Sequence, residues 1–141
     1  MAKFLLDSNV CIACLRRKGW ALETLGTVAP SSVAVSAVTV GELVLGANLA
    51  EDPGRELAKV EAFLRPIRVL PFGREEALCW AELDAQLRRQ GNPIETEDAM
   101  IGATALSLGM TLVTGNTRHV SRVRGLRLLD WEHPGRRGPA Q

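Results

Sequence analysis

Short apolar runs alternate along this chain with longer segments in which apolar residues recur every three or four positions. The short runs predict β-strands, and they cover residues 3–6, 33–36, 67–71, 111–114 and 127–129. Helical spacing is clearest in two sets of apolar residues: Leu57, Val60 and Leu64, and Ala77, Trp80, Leu83 and Leu87. Strands that alternate with helices pair in parallel through right-handed crossovers. The pattern therefore predicts an α/β fold, with an open parallel sheet of four to five strands covered by helices on both faces.

The length of the chain and the composition of its last residues predict one domain. A chain of 141 residues can bury a substantial core without disulfides. Residues 133–141, which read HPGRRGPAQ, are rich in Pro, Gly and Arg and offer little to bury. We therefore expect a single domain over residues 1–132, followed by a mobile tail over residues 133–141.

The charge balance gives no general attraction to nucleic acid. The formal net charge is +1, so binding to a polyanion would depend on local arginine clusters. The candidate clusters are Arg16-Arg17-Lys18, Arg88-Arg89 and Arg118 to Arg124, and the arginines expected to bind RNA are Arg16, Arg17, Arg118 and Arg122. Solvated surface charge is the alternative interpretation of these arginines.

Cysteine usage favours a reducing compartment, the cytoplasm. The three cysteines are an odd set without framework spacing. Cys11 and Cys14 form a C-x-x-C, but they lie in an apolar helical stretch and are better interpreted as small buried side chains. The chain has no signal-peptide pattern and no long apolar run, so we expect no membrane segment.

Three acids stand out on this scheme of strands and helices. Asp7 ends the first strand, Glu42 lies in the helix after the second, and Asp98 opens the helix before the fourth. Residues that follow parallel strands gather at one edge of the sheet, and a helix that leads into a strand starts at that edge. The three carboxylates can therefore converge.

Each acid also has a structural interpretation. Thr39 and Glu42 match a capping box, and Asp98 lies two residues past a possible Thr96 cap, at the positive end of its helix. Asp7 is harder to explain structurally, because a carboxylate between an apolar strand and an apolar helix is costly unless it is paired or bound to a metal.

Clustered carboxylates with few histidines suit a hard cation such as Mg²⁺ or Mn²⁺. Such a cation supports phosphoryl chemistry by neutralising phosphate oxygens and lowering the pKa of a bound water. The segment LVTGNTRH adds Thr114 at a strand end, with Asn116 and His119 in a predicted loop beside Asp7. These groups could contact the metal's water shell or the phosphate, although Thr-Gly-Asn is also common turn chemistry.

At these residues the chain resembles PIN-domain proteins, and among them the VapC-type toxins of bacterial type II toxin–antitoxin modules. The similarity extends over FLLDSNV, VAVSAVTVGELVLGA and IETEDAMIGATALSLGMTLVTGNTRHV. It implies a three-layer α/β/α fold, Mg²⁺- or Mn²⁺-dependent endoribonuclease activity, dimerisation, and inhibition by a small VapB-like antitoxin. By the same resemblance, Asp7, Glu42 and Asp98 are the metal-binding acids, Asn116 is a catalytic asparagine, and Asn9 and Thr114 are supporting polar groups.

His119 departs from the family pattern. These toxins usually carry Asp or Glu at this place, so the imidazole withdraws one negative charge from the cluster. Glu95 and Glu97, near Asp98 in sequence, could replace that charge.

Two other functions stay open at the level of sequence. A HAD-like phosphatase also has a strand-end Asp, but it needs a second Asp where this chain has Asn9. A degenerate PIN-like domain could instead bind RNA or a protein without cutting, which His119 would favour.

Overall fold

The computed structural model describes residues 2–135, which form five strands, seven α-helices and one short 3₁₀-helix, Pro30–Ser32. The strands are β1 (Phe4–Leu6), β2 (Val33–Ser36), β3 (Arg68–Leu70), β4 (Thr111–Val113) and β5 (Arg127–Leu129). The helices are α1 (Ser8–Leu15), α2 (Gly19–Thr27), α3 (Ala37–Asn48), α4 (Pro53–Leu64), α5 (Arg74–Arg89), α6 (Thr96–Leu108) and α7 (Thr117–Val120). The predicted strands over residues 33–36 and 127–129 are confirmed residue for residue, and the other three are shorter by one residue at one or both ends.

All strand pairs are parallel, in the order β3-β2-β1-β4-β5. Successive side chains of the central strand point to opposite faces. Leu5 packs with residues of α5 and α6, whereas Leu6 packs with residues of α1, α3 and α4. The predicted three-layer α/β/α fold with a parallel central sheet is therefore confirmed.

The pairing register of β1, β2 and β4 determines where the site lies, because it sets the level at which each strand ends. Leu6 lies opposite both Val35 and Val113, so β1, β2 and β4 end at the same level. Asp7, Ser36 and Thr114 follow or end these strands at the carboxyl edge. This edge is where open α/β sheets bind their ligands.

The helices predicted over Leu57 to Leu64 and Ala77 to Leu87 are confirmed as α4 and α5. Helix α2 was not predicted. The predicted loop that contains His119 is wrong, because residues 117–120 form α7. Cys11 and Cys14 are buried free thiols. None of the helices within residues 2–135 is long and apolar enough to cross a membrane. Of the predicted tail, residues 136–141 lie outside the described residues.

Candidate active site

Asp7 is a buried carboxylate at the junction of β1 and α1. It is the N-cap of α1, its Oδ1 accepts a hydrogen bond from the Val10 amide at 2.9 Å, and it is only 6% exposed. Burial raises the pKa of Asp7 from 3.8 to about 6, and hydrogen bonds from Thr114 and Val10 oppose this rise. The negative charges of Asp98 and Glu42 raise the pKa further, so all three acids share one electrostatic field.

Glu42 lies in the second turn of α3 and contacts α1. The predicted capping box of Thr39 and Glu42 is wrong, because α3 begins earlier, with Ser36 as its cap. The Ser36 hydroxyl accepts from the Val38 amide at 3.0 Å, so the helix start is satisfied without Glu42. The Glu42 side chain is free to serve another purpose.

Ser8 is a site residue that the sequence did not reveal. Its Oγ lies 2.5 Å from Glu42 Oε1 and 3.3 Å from Thr39 Oγ1. Since a serine hydroxyl has a single proton, Ser8 donates to the carboxylate and accepts from Thr39. In the sequence, the one indication that Ser8 belongs to the site is its position immediately after Asp7. Only the packing of α1 on α3 brings Ser8 to Glu42.

Asp98 lies in the first turn of α6. The N-cap of this helix is Glu95, so the predicted Thr96 cap is wrong, and Thr96 is the first helical residue. Asn116 links Asp98 to the strand edge, because its Nδ2 donates to Asp98 Oδ2 at 3.2 Å and its backbone amide donates to Thr114 Oγ1 at 2.9 Å. Thr114 in turn donates to Asp7. A chain of hydrogen bonds thus connects two of the three acids.

The surroundings of Asp98 identify which groups near it carry charge. Burial raises the pKa of Asp98, Glu95 raises it further, and Glu97 adds a smaller rise. His119 and the hydrogen bond from Asn116 lower it. His119, on α7, therefore lies near Asp98, and so do Glu95 and Glu97, the two acids predicted to replace the family's missing carboxylate.

A cleft of about 270 Å³ opens beside these groups. We name it the proximal cleft, and it is lined by Pro93, Ile94, Glu95, Thr96, His119 and Arg122. Because His119 and Glu95 also act on the pKa of Asp98, the proximal cleft lies beside this acid.

The remaining predicted residues do not join the acids. Asn9 is exposed on α1 and forms no side-chain hydrogen bond with another residue in the range 2–135. The four arginines of the sequence prediction, Arg16, Arg17, Arg118 and Arg122, are all exposed. Arg122 forms a side-chain hydrogen bond, from its Nη1 to the Pro93 carbonyl at 3.2 Å. The supporting role of Asn9 and the binding of RNA by these arginines stay predictions.

The three acids have no cationic partner within the described part of the chain. The ion pairs there join Lys59 to Glu56, Arg88 to Asp84, and His133 to Asp130. Nor do residues 2–135 contain three acidic, histidine or cysteine side chains placed closely enough to hold a metal ion together. The donors nevertheless fit Mg²⁺ or Mn²⁺, since such ions bind through one or two carboxylates and keep several waters. A cation would also offset the burial that raises the pKa of Asp7.

Comparison with known proteins extends over most of the chain. The sequence model of the family described as PIN domain matches residues 4–126. The "tRNA(fMet)-specific endonuclease VapC" of Shigella flexneri is 38% identical over 131 residues, which cover 93% of this chain and 99% of that protein. The "Ribonuclease VapC2" of Haemophilus influenzae is 34% identical with the same coverage.

Solved structures agree with these sequence matches. The chain resembles one in the crystal structure of DNA-bound VapBC from Salmonella typhimurium, with a TM-score of 0.89 and 35% identity over 93% of this chain and 99% of that one. A chain of FitAcB from Neisseria gonorrhoeae has a TM-score of 0.82 and 27% identity, over 92% of this chain and 99% of its own length.

Proposed function

Because this chain belongs to the PIN-domain family, and within it to the VapC-type toxins, we propose that it is a Mg²⁺- or Mn²⁺-dependent endoribonuclease that hydrolyses phosphodiester bonds in RNA. The observation that carries the proposal is the convergence of Asp7, Glu42 and Asp98. They come from three elements, the charges of Asp98 and Glu42 both raise the pKa of Asp7, and none of the three forms an ion pair with a lysine or arginine within residues 2–135. Such an arrangement is costly in a protein that does not bind a cation there.

In the proposed mechanism, Asp7, Glu42 and Asp98 would hold the metal ion. A bound ion would neutralise phosphate oxygens and lower the pKa of a water molecule. Ser8 orients Glu42, Thr114 orients Asp7, and Asn116 orients Asp98 through the hydrogen bonds described above. His119 stands at the proximal cleft, where its ring can donate a hydrogen bond to a phosphate oxygen.

The relatives suggest the substrate and the partners. Since one curated relative is named a tRNA(fMet)-specific endonuclease, initiator tRNA is the first substrate to test. Because similar chains occur in VapBC complexes, we propose a cognate VapB-like antitoxin that neutralises the enzyme. We further propose a homodimer in the cytoplasm, whose nuclease domain spans residues 1–132.

The phosphatase alternative does not fit this site. The residue that would have to be its second aspartate is Asn9, which is exposed on α1. The matching family is also the PIN domain and not a phosphatase family. The non-catalytic binding module is the remaining alternative, and a cleavage assay distinguishes it.

The test compares wild type with Asp7→Asn on labelled initiator tRNA in the presence of Mn²⁺. We expect wild type to cleave, chelation by EDTA to stop cleavage, and Asp7→Asn to lose at least about a hundredfold in rate, as is typical when a main source of transition-state charge stabilisation is removed. The control is Asp52→Asn, because Asp52 is an exposed cap of α4 and Asn also caps helices. RNA binding without cleavage in wild type would favour the non-catalytic module.

A further inference from the structure

A second and larger cleft lies next to the proximal cleft. This distal cleft has a volume of about 470 Å³, between α5 and the segment that follows α7. Its polar lining consists of Glu82, Gln86, Arg89, Gln90, Arg122 and Arg124. Leu83, Leu87 and Val123 supply apolar surface. The volume is in the range of a site for a small organic group such as one nucleotide, about 300 to 1,000 Å³.

Arg122 connects the two clefts. Its side chain lines both of them, and its Nη1 donates to the Pro93 carbonyl in the loop between α5 and α6. The proximal cleft in turn reaches His119 and Glu95, which act on Asp98. Arg122 therefore makes the two clefts neighbours, and a path from Asp98 would run along the proximal cleft, past Arg122, to the distal cleft.

The charge of the distal cleft favours an anionic occupant. Three arginines face a single carboxylate, Glu82. The neighbouring Arg88 is paired with Asp84, but neither Arg89 nor Arg124 forms an ion pair within residues 2–135. Guanidinium groups without a carboxylate partner are suited to phosphate, which they bind in a bidentate manner.

The chemistry of the lining favours RNA over a protein partner. Three of the eleven residues that line the distal cleft are arginines and only one is acidic, a balance that suits a polyanion. Gln86 and Gln90 offer amide donors and acceptors, which can pair with the edges of an unstacked base.

We propose that the RNA strand next to the scissile phosphate follows this path, with its phosphates bound by Arg89 and Arg124 in the distal cleft. This inference rests on the proposed ribonuclease function and adds the course of the substrate. Arg122 marks the point where the strand passes from one cleft to the other. The proposed course also explains how a nearly neutral protein can bind a polyanion, since the relevant charge is local.

The test measures binding of 3′-labelled initiator tRNA by fluorescence anisotropy, in the Asp7→Asn background with Mg²⁺, so that no cleavage is required. The variant is R89Q/R124Q, and the matched control is R55Q/R65Q, which removes two exposed arginines of the α4 region on the other face of the sheet. We expect the Kd of R89Q/R124Q to rise at least about tenfold at moderate salt. The slope of log K against log salt should become shallower by about 0.7 for each phosphate that the variant no longer binds.

A charge-conserving variant keeps the result interpretable. R89K/R124K should retain most of the salt slope, whereas a loss caused by misfolding would not be rescued in this way. In the active background, cleavage by R89Q/R124Q should fall mainly through a higher KM. Binding of the tRNA by R89Q/R124Q that equals binding by R55Q/R65Q would overturn the proposed path. A change in the oligomeric state of R89Q/R124Q, measured by sedimentation, would also overturn it, because the distal cleft would then be a protein interface. Absence of cleavage by wild type alongside weaker binding by R89Q/R124Q would contradict the ribonuclease function while supporting the path.

Discussion

At the scale of single residues, neutral groups and not charged ones fix the direction of each acid. Glu42 receives a hydrogen bond from Ser8, Asp98 from Asn116, and Asp7 from Thr114. A hydroxyl or amide orients a carboxylate without cancelling its charge, whereas a lysine or arginine would compete with a metal ion. These donors are therefore suited to a cation site.

The role of Ser8 gives a prediction. Ser8→Ala removes the donor to Glu42, and a hydrogen bond to a charged group contributes about 1.5 kcal/mol, or roughly a tenfold change in an equilibrium constant. We expect the Mn²⁺ concentration for half-maximal cleavage to rise by about this factor, with activity largely recovered at saturating metal. Ser8→Thr, which keeps the hydroxyl, should be close to wild type.

Ser32→Ala is the control for this experiment. It removes an exposed hydroxyl that bonds to the Ala29 carbonyl, before β2 and at the opposite edge of the sheet. If Ser8→Ala and Ser32→Ala have the same metal dependence, Ser8 does not position Glu42 for metal binding.

The sequence indicated the acids better than their surroundings. Asp7 could be predicted because it follows an apolar strand, and this position does not depend on distant packing. The cap of α3 could not, because SAVTVGE contains both Ser36 and Thr39 as possible caps, and only the point at which β2 ends, Ser36, decides between them. Ser8 was missed because its partner lies far along the chain.

At the scale of elements, direct strand-to-helix junctions create the site. β1 passes into α1 through Asp7 alone, and β2 passes into α3 at Ser36, the cap residue. α6 brings Asp98 to the same edge because it runs back along the sheet before β4. Gly109 ends α6 with φ +66°, and the Met110 amide then donates to the Ala105 carbonyl, which closes the turn into β4.

The left-handed conformation of Gly109 predicts how substitution at this position changes the stability of the fold. Gly109→Ala should destabilise the fold by about 1 kcal/mol, since a Cβ strains this conformation. Gly46→Ala, inside α3 with open space around its Cα, should instead stabilise the fold by up to about 1 kcal/mol. Urea unfolding monitored by circular dichroism measures both, and equal shifts in the two variants would contradict this account of the α6 terminus.

Helices α2 and α7 could not be predicted from the sequence, for physical reasons. α7 has four residues, which is too short to display a helical period. α2 reads GWALETLGT, and it contributes only Ala21 as a fully buried residue, so its apolar face is narrow. Long helices with broad buried faces, such as α5, are the ones that a periodic pattern predicts.

At the scale of the whole molecule, the topology was the most predictable feature. Alternating strands and helices leave few arrangements other than a parallel sheet with helices on both faces, and the two core clusters fill these faces. The oligomeric state and the antitoxin surface could not be derived in this way, since they depend on a second chain. The convergence of three acids at one edge is a consequence of the topology, and it supports the central claim that they bind a metal ion.

Calorimetric titration of Mn²⁺ into the metal-free protein tests this claim most directly, in buffers of different ionisation enthalpy at about pH 5.5 and about pH 7.5. The pKa of Asp7 is raised to about 6, so below this pH the metal must displace a proton, and its affinity should fall as the pH falls. Wild type should bind Mn²⁺ and release roughly three quarters of a proton from Asp7 at the lower pH and almost none at the higher. Asp7→Asn should lose most of the affinity and this proton release. Identical isotherms for wild type and Asp7→Asn, or no binding by wild type, would contradict the metal site.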